Sequence, residues 1–314
     1  MKLLLSGPKL QTFCDIVGNF KHISEYFTLN FSNNGVYSQG MSGDHCSIYE
    51  LHIGGDWFDD YEWDEGNDAP VFSVSTEILS KVLHTRQPSQ FMVIEFFGKS
   101  DHIILRFSSI AKNGKNQQFP KEFMLPFIEV DHDQLTIPEV EYDAEFGIGS
   151  KALHATNEQL SLFNETLTIH CSEDEIYLRS KGNDGELKVT LFDENCEHIT
   201  EFAIAEELSL TLDFSIKHFN IFCKFLKVSD NVALGFKEAY PMKFEYVMDD
   251  NSGVDGADAN DANDANDANG VDGADTDVNE LTEKLKNGMD LDQEENNDTI
   301  KLVFYLAPKI TDDD

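Results

Sequence analysis

Nine residues recur at a fixed distance along the chain. Leu29-Asn-Phe-Ser32-Asn-Asn-Gly-Val-Tyr37 lines up with Ile169-His-Cys-Ser172-Glu-Asp-Glu-Ile-Tyr177, 140 residues later. A chain that repeats a unit of this size has to build two similar cores, which narrows its architecture to a duplicated domain. The sequence around each copy agrees. Short alternating or β-rich runs dominate, among them Tyr26–Phe31, Cys46–Ile53, Phe91–Phe97, Ile103–Phe107, Leu167–Cys171, Leu187–Phe192, Lys243–Met248 and Lys301–Leu306. Helical spacing appears in four segments only: Lys9–His22, Thr76–Arg86, Ser150–Leu160 and Ser215–Lys227. Each half therefore has many strands and two helices. The expected class is α+β, with antiparallel sheets and four helices per chain.

One stretch stands outside this pattern. Residues 249 to 298 collapse into Asp, Asn, Ala and Gly, with Asp-Ala-Asn four times in tandem from Asp258 to Asn269. Their 17 acids and two lysines carry −15 of the chain's −36, leaving −21 on the other 264 residues. So little apolar surface cannot offset the entropy of ordering, and the stretch is expected to be a disordered insert. A calcium loop fails on spacing, because the residue five positions before Gly270 or Gly273 is alanine. The insert separates the strands Lys243–Met248 and Ile300–Leu306, so it is expected at the tip of a hairpin that still pairs.

A net charge of −36 repels phosphate, so the bulk field holds neither nucleic acid nor anionic membrane. The four helical segments invert this balance. Together they carry +5, against −26 for the rest outside the insert. Helices that are basic on an acidic protein can face a polyanion, although Lys and Arg are also ordinary helix formers on solvated faces. Charge alone leaves both readings open. Five scattered cysteines without a Cys-x-x-Cys pair argue for a reducing compartment, and no apolar run suits a bilayer span; an intracellular, non-membrane protein is expected.

Catalytic constellations are missing. Gly147-Ile-Gly149-Ser-Lys-Ala152 lacks the third glycine of a dinucleotide loop, and there is no His-Glu-x-x-His or Gly-x-Ser-x-Gly. His45 and Cys46 are adjacent, and neighbouring strand residues face opposite ways. Asp59, Asp60, Glu62, Asp64 and Glu65 have the composition of a two-magnesium site, but among Trp57, Tyr61 and Trp63 they read as a solvated acidic loop. Neither enzyme activity, metal nor cofactor is expected.

Several motifs resemble the proliferating cell nuclear antigen family of DNA sliding clamps. Lys301-Leu-Val-Phe-Tyr305-Leu-Ala-Pro-Lys-Ile310 followed by Thr311-Asp-Asp-Asp314 is similar to the family's last strand and acidic tail. Asp133-Gln-Leu-Thr-Ile137-Pro138-Glu-Val-Glu-Tyr142 resembles the end of its interdomain connector. Gly40-Met41-Ser-Gly-Asp-His45-Cys-Ser47, Phe58-Asp-Asp-Tyr61-Glu-Trp-Asp64 and Lys217-His-Phe219-Asn-Ile-Phe-Cys-Lys224 resemble further family segments. The resemblance implies an N-terminal domain over 1–125, a connector over 126–141 and a C-terminal domain over 142–314 carrying the insert. It also implies a head-to-tail homotrimeric ring with helices inside and sheets outside.

Implied in the same way are DNA-facing Lys21, Lys81, Lys217 and Lys224, with Lys9, His84, Arg86, Lys151, His154 and Lys227 as secondary contacts. The third helix departs from the family, with Ala155 and Glu158 at positions basic in relatives. A pocket for peptides bearing a glutamine and two aromatics is implied at Met41, His45, Ile48, Leu135, Ile137, Pro138, Pro241, Tyr305, Leu306, Ala307, Pro308 and Ile310. A subunit interface is implied between Phe123, Met124 and Leu125 on one chain and Ile176, Tyr177, Leu178 and Arg179 on the next. Pro126 sits in that strand and removes a ladder donor. The loop lysine that eukaryotic relatives modify aligns with Glu173, so that switch is expected to be absent. Implied partners are double-stranded DNA without sequence preference, a DNA polymerase, other proteins with clamp-binding peptides, and a clamp loader. The place of action would be sites of replication, nuclear or, for a member from a large DNA virus, cytoplasmic. The alternative is a processivity subunit of the same fold that binds DNA electrostatically as a monomer or dimer without closing a ring.

Overall fold

The computed structural model describes residues 1–63, 71–97, 100–109, 119–130, 135–193, 196–249 and 299–309. Its first half runs β1 (Lys2–Leu5), α1 (Gly7–Phe20), β2 (Tyr26–Ser32), β3 (Gly35–Met41), β4 (Ser47–Gly54), β5 (Asp60–Glu62), β6 (Val71–Ser75), α2 (Thr76–His84), β7 (Gln90–Glu95), β8 (His102–Ser109) and β9 (Lys121–Pro126). The second half repeats the order with β10 (Ala144–Gly149), α3 (Ser150–Leu160), β11 (Thr166–Ser172), β12 (Ile176–Gly182), β13 (Gly185–Asp193), β14 (Cys196–Glu197), β15 (Ile199–Ile204), β16 (Ser209–Ser215), α4 (Ile216–Phe222), β17 (Asn231–Phe236), β18 (Met242–Asp249) and β19 (Thr299–Leu306).

The sheets repeat as well. In the first half β5-β1-β7-β8-β9 forms one sheet, and β6-β2-β3-β4 is one flank of another. In the second half β15-β10-β17-β18-β19 and β16-β11-β12-β13-β14 are their counterparts. The halves are joined where β19 pairs antiparallel with β4, from Ile300↔Ile53 to Leu306↔Ser47, giving one nine-stranded sheet across the chain.

The helices lie where the apolar periodicity puts them. Pro8 opens α1, where its missing N–H costs nothing, and Leu10, Phe13, Ile16, Val17 and Phe20 form the buried stripe. Ser75 caps α2 by accepting the N–H of Ile78. Asn157 on α3 donates to Asn220 on α4 at 2.6 Å. The expected fourth helix Ser215–Lys227 is shorter. It tightens into a 3₁₀ turn over Cys223–Phe225, which buries Phe225 and places its ring 5.3 Å from Phe20 of α1 and 5.0 Å from Phe304 of β19. One core therefore runs through both halves.

Two other expectations meet the structure here. The acidic stretch is not a loop throughout: β5 pairs with β1, Leu3 opposite Tyr61, and Tyr61 donates to the carbonyl of Gly35 at 2.9 Å. Asp64 and Glu65 lie outside the described residues. The hairpin around the insert is closed to its last residue, with β18 and β19 paired from Met242↔Leu306 to Asp249↔Thr299. Residues 250–298, which hold all but the first residue of the insert, also lie outside the description.

Candidate functional site

All four helical regions contribute to one open groove of about 480 Å³. Gln11, Cys14, Asp15, Gly18 and Asn19 come from α1 and Lys21 from its end. His84 and Arg86 come from the end of α2, His154 from α3, and Lys224 and Lys227 from the turn after α4. Six of the ten implied DNA-facing residues thus meet in one place. Gly18 of α1 faces α2 at van der Waals distance: a β-carbon there would lie 3.5 Å from the His84 ring, an ordinary contact. Asn19 donates to the Lys224 carbonyl at 3.1 Å, tying the two halves across the groove.

The groove is positive, and neighbouring groups register it. Burial holds the His22 imidazole below its ordinary pKa, and Lys224 and Lys21 lower it further. Burial pushes the Cys14 thiol up to about 11, which keeps it protonated and inert. Lys227 pairs with Asp15 at 3.0 Å, while Lys21 and Lys224 are exposed with no carboxylate partner among the described residues. The other four implied contacts are elsewhere. Lys81 pairs with Glu77 at 2.5 Å and Lys151 with Asp230 at 3.3 Å. Lys9 is half-buried at the start of α1 and Lys217 lines a different cleft. His154 lies 3.8 Å from Glu158, one of the two departures on α3.

That second cleft, of about 260 Å³, lies between the end of α1, the β3–β4 loop and α4. In it His218 of α4, with 6% of its surface exposed, meets Asp44 of the loop, Nε2 to Oδ2 at 3.0 Å. Partial burial opposes ionisation of Asp44. The hydroxyl of Ser42, the N–H of Cys46 and His218 outweigh it and bring the carboxyl down to about 2. A depressed carboxyl contributes stability above its ordinary pKa of 3.8 and loses it as pH falls through the folded value. The difference in urea midpoint between the wild-type chain and Asp44→Asn is therefore expected to be full above about pH 5 and to close as pH falls towards 2. A difference that stays constant from pH 5 to 2.5 refutes this role.

On the outer face of the nine-stranded sheet, cross-strand registers place Met41, Ile48, Tyr305 and Lys243 in one row over β3, β4, β19 and β18. Met41, Ile48 and Tyr305 are half-buried. His45 closes the end of the row from a left-handed backbone (φ 59°), its Nδ1 2.9 Å from Met41 Sδ. The Ala307 N–H donates to the Cys46 carbonyl at 3.0 Å, and Pro308 follows. Of the connector, Leu135 and Pro138 are exposed and Ile137 is half-buried, while the Pro241 carbonyl accepts from Tyr142 at 3.3 Å. Leu306 does not belong to this surface. Alternation along β19 turns it inward with Phe304 and Leu302, leaving it no exposed area. Ile310 lies outside the described residues.

The sheet edges correct the implied subunit contact. Among the described residues β9 is an edge strand, and Met124 on it is 58% exposed, whereas Leu125 faces the core. β12, however, is an interior strand, flanked by β11 and β13. Ile176, Tyr177, Leu178 and Arg179 already have neighbours on both sides. The open edge of that sheet is β13, which β14 covers only at Phe192 and Asp193. Pro126 is accommodated by the ladder. Phe127 donates to the Asp101 carbonyl at 2.8 Å, so Leu125 and Phe123 also bond towards β8. Glu122, Met124 and Pro126 then turn their nitrogens outward, and the missing donor belongs to the open edge.

This duplicated architecture agrees with two family models: the N-terminal domain of proliferating cell nuclear antigen matches residues 10–134, and its C-terminal domain matches 136–255. The chain belongs to the proliferating cell nuclear antigen family. It is 26% identical to proliferating cell nuclear antigen 2 of Drosophila melanogaster over 75% of this chain and 88% of the relative. Proliferating cell nuclear antigen 1 of Plasmodium falciparum is 29% identical over 70% and 78%, and the Chaetomium thermophilum antigen 24% over 76% and 89%. Members of the proliferating cell nuclear antigen family are sliding clamps of DNA replication and repair, non-enzymatic processivity factors that are typically trimers. Sequence reasoning missed three features of this member: the β13 edge, the Asp44–His218 pair and the polar cluster around Glu50. In that cluster Tyr37 donates to Glu50 at 2.7 Å and Tyr305 at 3.4 Å. Burial and Glu50 together push the Tyr305 hydroxyl up.

Proposed function

We propose that this chain is a sliding clamp that closes into a homotrimeric ring around duplex DNA and tethers a DNA polymerase and other replication and repair proteins. The observation that carries the reading is the pair of open edges. β9 is the counterpart of β19, and β13 is the counterpart of β4, and within the chain β19 and β4 already pair. The same joint made between chains, β9 of one against β13 of the next, repeats the internal seam and satisfies both edges. The helices of both halves then share one face, with Lys21, Arg86, Lys224 and Lys227 towards the enclosed duplex. Enclosure needs no base contact, only diffuse neutralisation of phosphates. Light scattering tests the ring: a mass of three times 35.5 kDa supports it, and one or two times that mass favours the open processivity subunit.

A clamp loader and partner peptides with a glutamine and two aromatics complete the reading, the peptides docking on the row Met41–Ile48–Tyr305 beside the connector. Methionine and isoleucine offer adaptable apolar contact, which suits aromatic anchors. Ile48→Ala combined with Tyr305→Ala is expected to weaken such a peptide by about 2 kcal/mol or more, roughly thirtyfold in Kd, without changing the oligomeric mass. Calorimetry showing equal affinity for the double variant and the wild-type chain removes the peptide from this row.

A further inference from the structure

Residues 135–140 of the connector lie beside β3 of the nine-stranded sheet with few attachments. Among residues 135–140, the hydrogen bonds to other described residues are two, and one side chain makes both. Gln39 on β3 accepts the Leu135 N–H at Oε1 (2.8 Å) and donates from Nε2 to the Leu135 carbonyl (2.9 Å). A carboxamide that bonds both polar groups of one residue imitates a neighbouring β-strand. It fixes the backbone in position and in rotation at that point, and the pairing sets which way the amide faces. Beyond it, the next attachments are the Lys237 ammonium on the Glu141 carbonyl at 2.9 Å and Tyr142 on Pro241.

Gln39 is itself held. Glu50 lies directly opposite on β4, and its Oε1 accepts from Gln39 Nε2 at 3.3 Å and from Tyr37 at 2.7 Å. Its Oε2 accepts from Tyr305 at 3.4 Å. One carboxylate therefore links the amide that grips the connector to the hydroxyl of the tyrosine in the proposed docking row. Gln39 and Glu50 occupy the cross-strand position next to Met41 and Ile48 on the same face.

We propose that Gln39, oriented by Glu50, is the positioning residue of the connector, and that it sets how long a peptide stays on the Met41–Ile48–Tyr305 row. The second clause rests on the peptide reading above; the first does not. A peptide arriving beside Tyr305 meets a connector already placed, so it does not have to order that segment on binding. Loss of the clamp therefore appears in the off-rate more than in the on-rate.

The test uses the full-length chain with Gln39→Met, which keeps length and shape and removes both hydrogen bonds, and Gln39→Glu, which sets a second carboxylate against Glu50 and cannot donate to Leu135. Hydrogen exchange at the Leu135 amide and surface-plasmon kinetics with a synthetic peptide carrying one glutamine and two aromatics are measured together. The expected result for Gln39→Met is exchange at Leu135 faster by about tenfold or more, and a peptide off-rate raised by a similar factor. The on-rate and the urea midpoint stay near the wild-type values. Gln39→Glu is expected to exceed Gln39→Met in both effects. Leu135 exchange that is unchanged in Gln39→Met overturns the clamp, and accelerated exchange with an unchanged off-rate overturns its role in retention. A wild-type chain that binds no such peptide defeats the peptide reading instead, and Leu135 exchange then decides the clamp by itself.

Discussion

A chain carrying Met124→Pro is expected to fall from three times 35.5 kDa to a single chain in light scattering while keeping its circular dichroism. The Met124 nitrogen points away from β8, so proline there removes no internal ladder bond. It does remove an outward donor from an edge that already lacks one at Pro126, leaving Glu122 as the only outward N–H of β9. A carbonyl of the neighbouring β13 then loses its partner, at a cost of about 1–3 kcal/mol for each interface. A closed trimer contains three such interfaces, and the penalty applies to each of them. Persistence of the trimer in this variant means that the chains meet through some surface other than β9.

The second large effect concerns the groove. Lys21→Glu together with Lys224→Glu is expected to lower retention on circular duplex by on the order of a hundredfold at 0.1 M salt. Each lost phosphate contact also flattens the dependence of log K on log salt by about 0.9. Both side chains are exposed and carry no internal ion pair among the described residues, so the fold and the oligomeric mass should not change. An unchanged salt slope shows that the duplex does not touch this groove.

Much of this architecture is legible in the sequence, for a physical reason. Period-2 and period-3.6 burial are local properties, so α3 falls on Ser150–Leu160 as the apolar spacing predicts, and β2, β4 and β19 fall close to their runs. The basic balance of the helices is likewise a sum over local segments, and it leads to a groove that holds Lys21, Arg86, Lys224 and Lys227. Which strand ends a sheet is not local. β12 and β13 are both alternating strands, and only the pairing of β12 with β11 and of β13 with β12 decides that β13 is the open one. The Gln39–Leu135 and Asp44–His218 contacts join residues 96 and 174 positions apart, and neither has a motif to mark it. The placement of Leu306 was readable: Tyr305 and Leu306 are consecutive in one strand, so both cannot face the same ligand.

The internal β4–β19 seam has a mechanical consequence. In a ring of such chains two kinds of joint alternate, alike in strand pairing and unlike in what happens when they part. At β4–β19 the connector and the shared aromatic core of Phe20, Phe225 and Phe304 hold the two sides together, so a separated seam snaps shut at high effective concentration. At β9–β13 no covalent link spans the gap, and the two edges once parted are tethered only through the rest of the ring. The proposed ring is therefore expected to open for DNA at the β9–β13 joints, every second one, and to flex at the β4–β19 joints between.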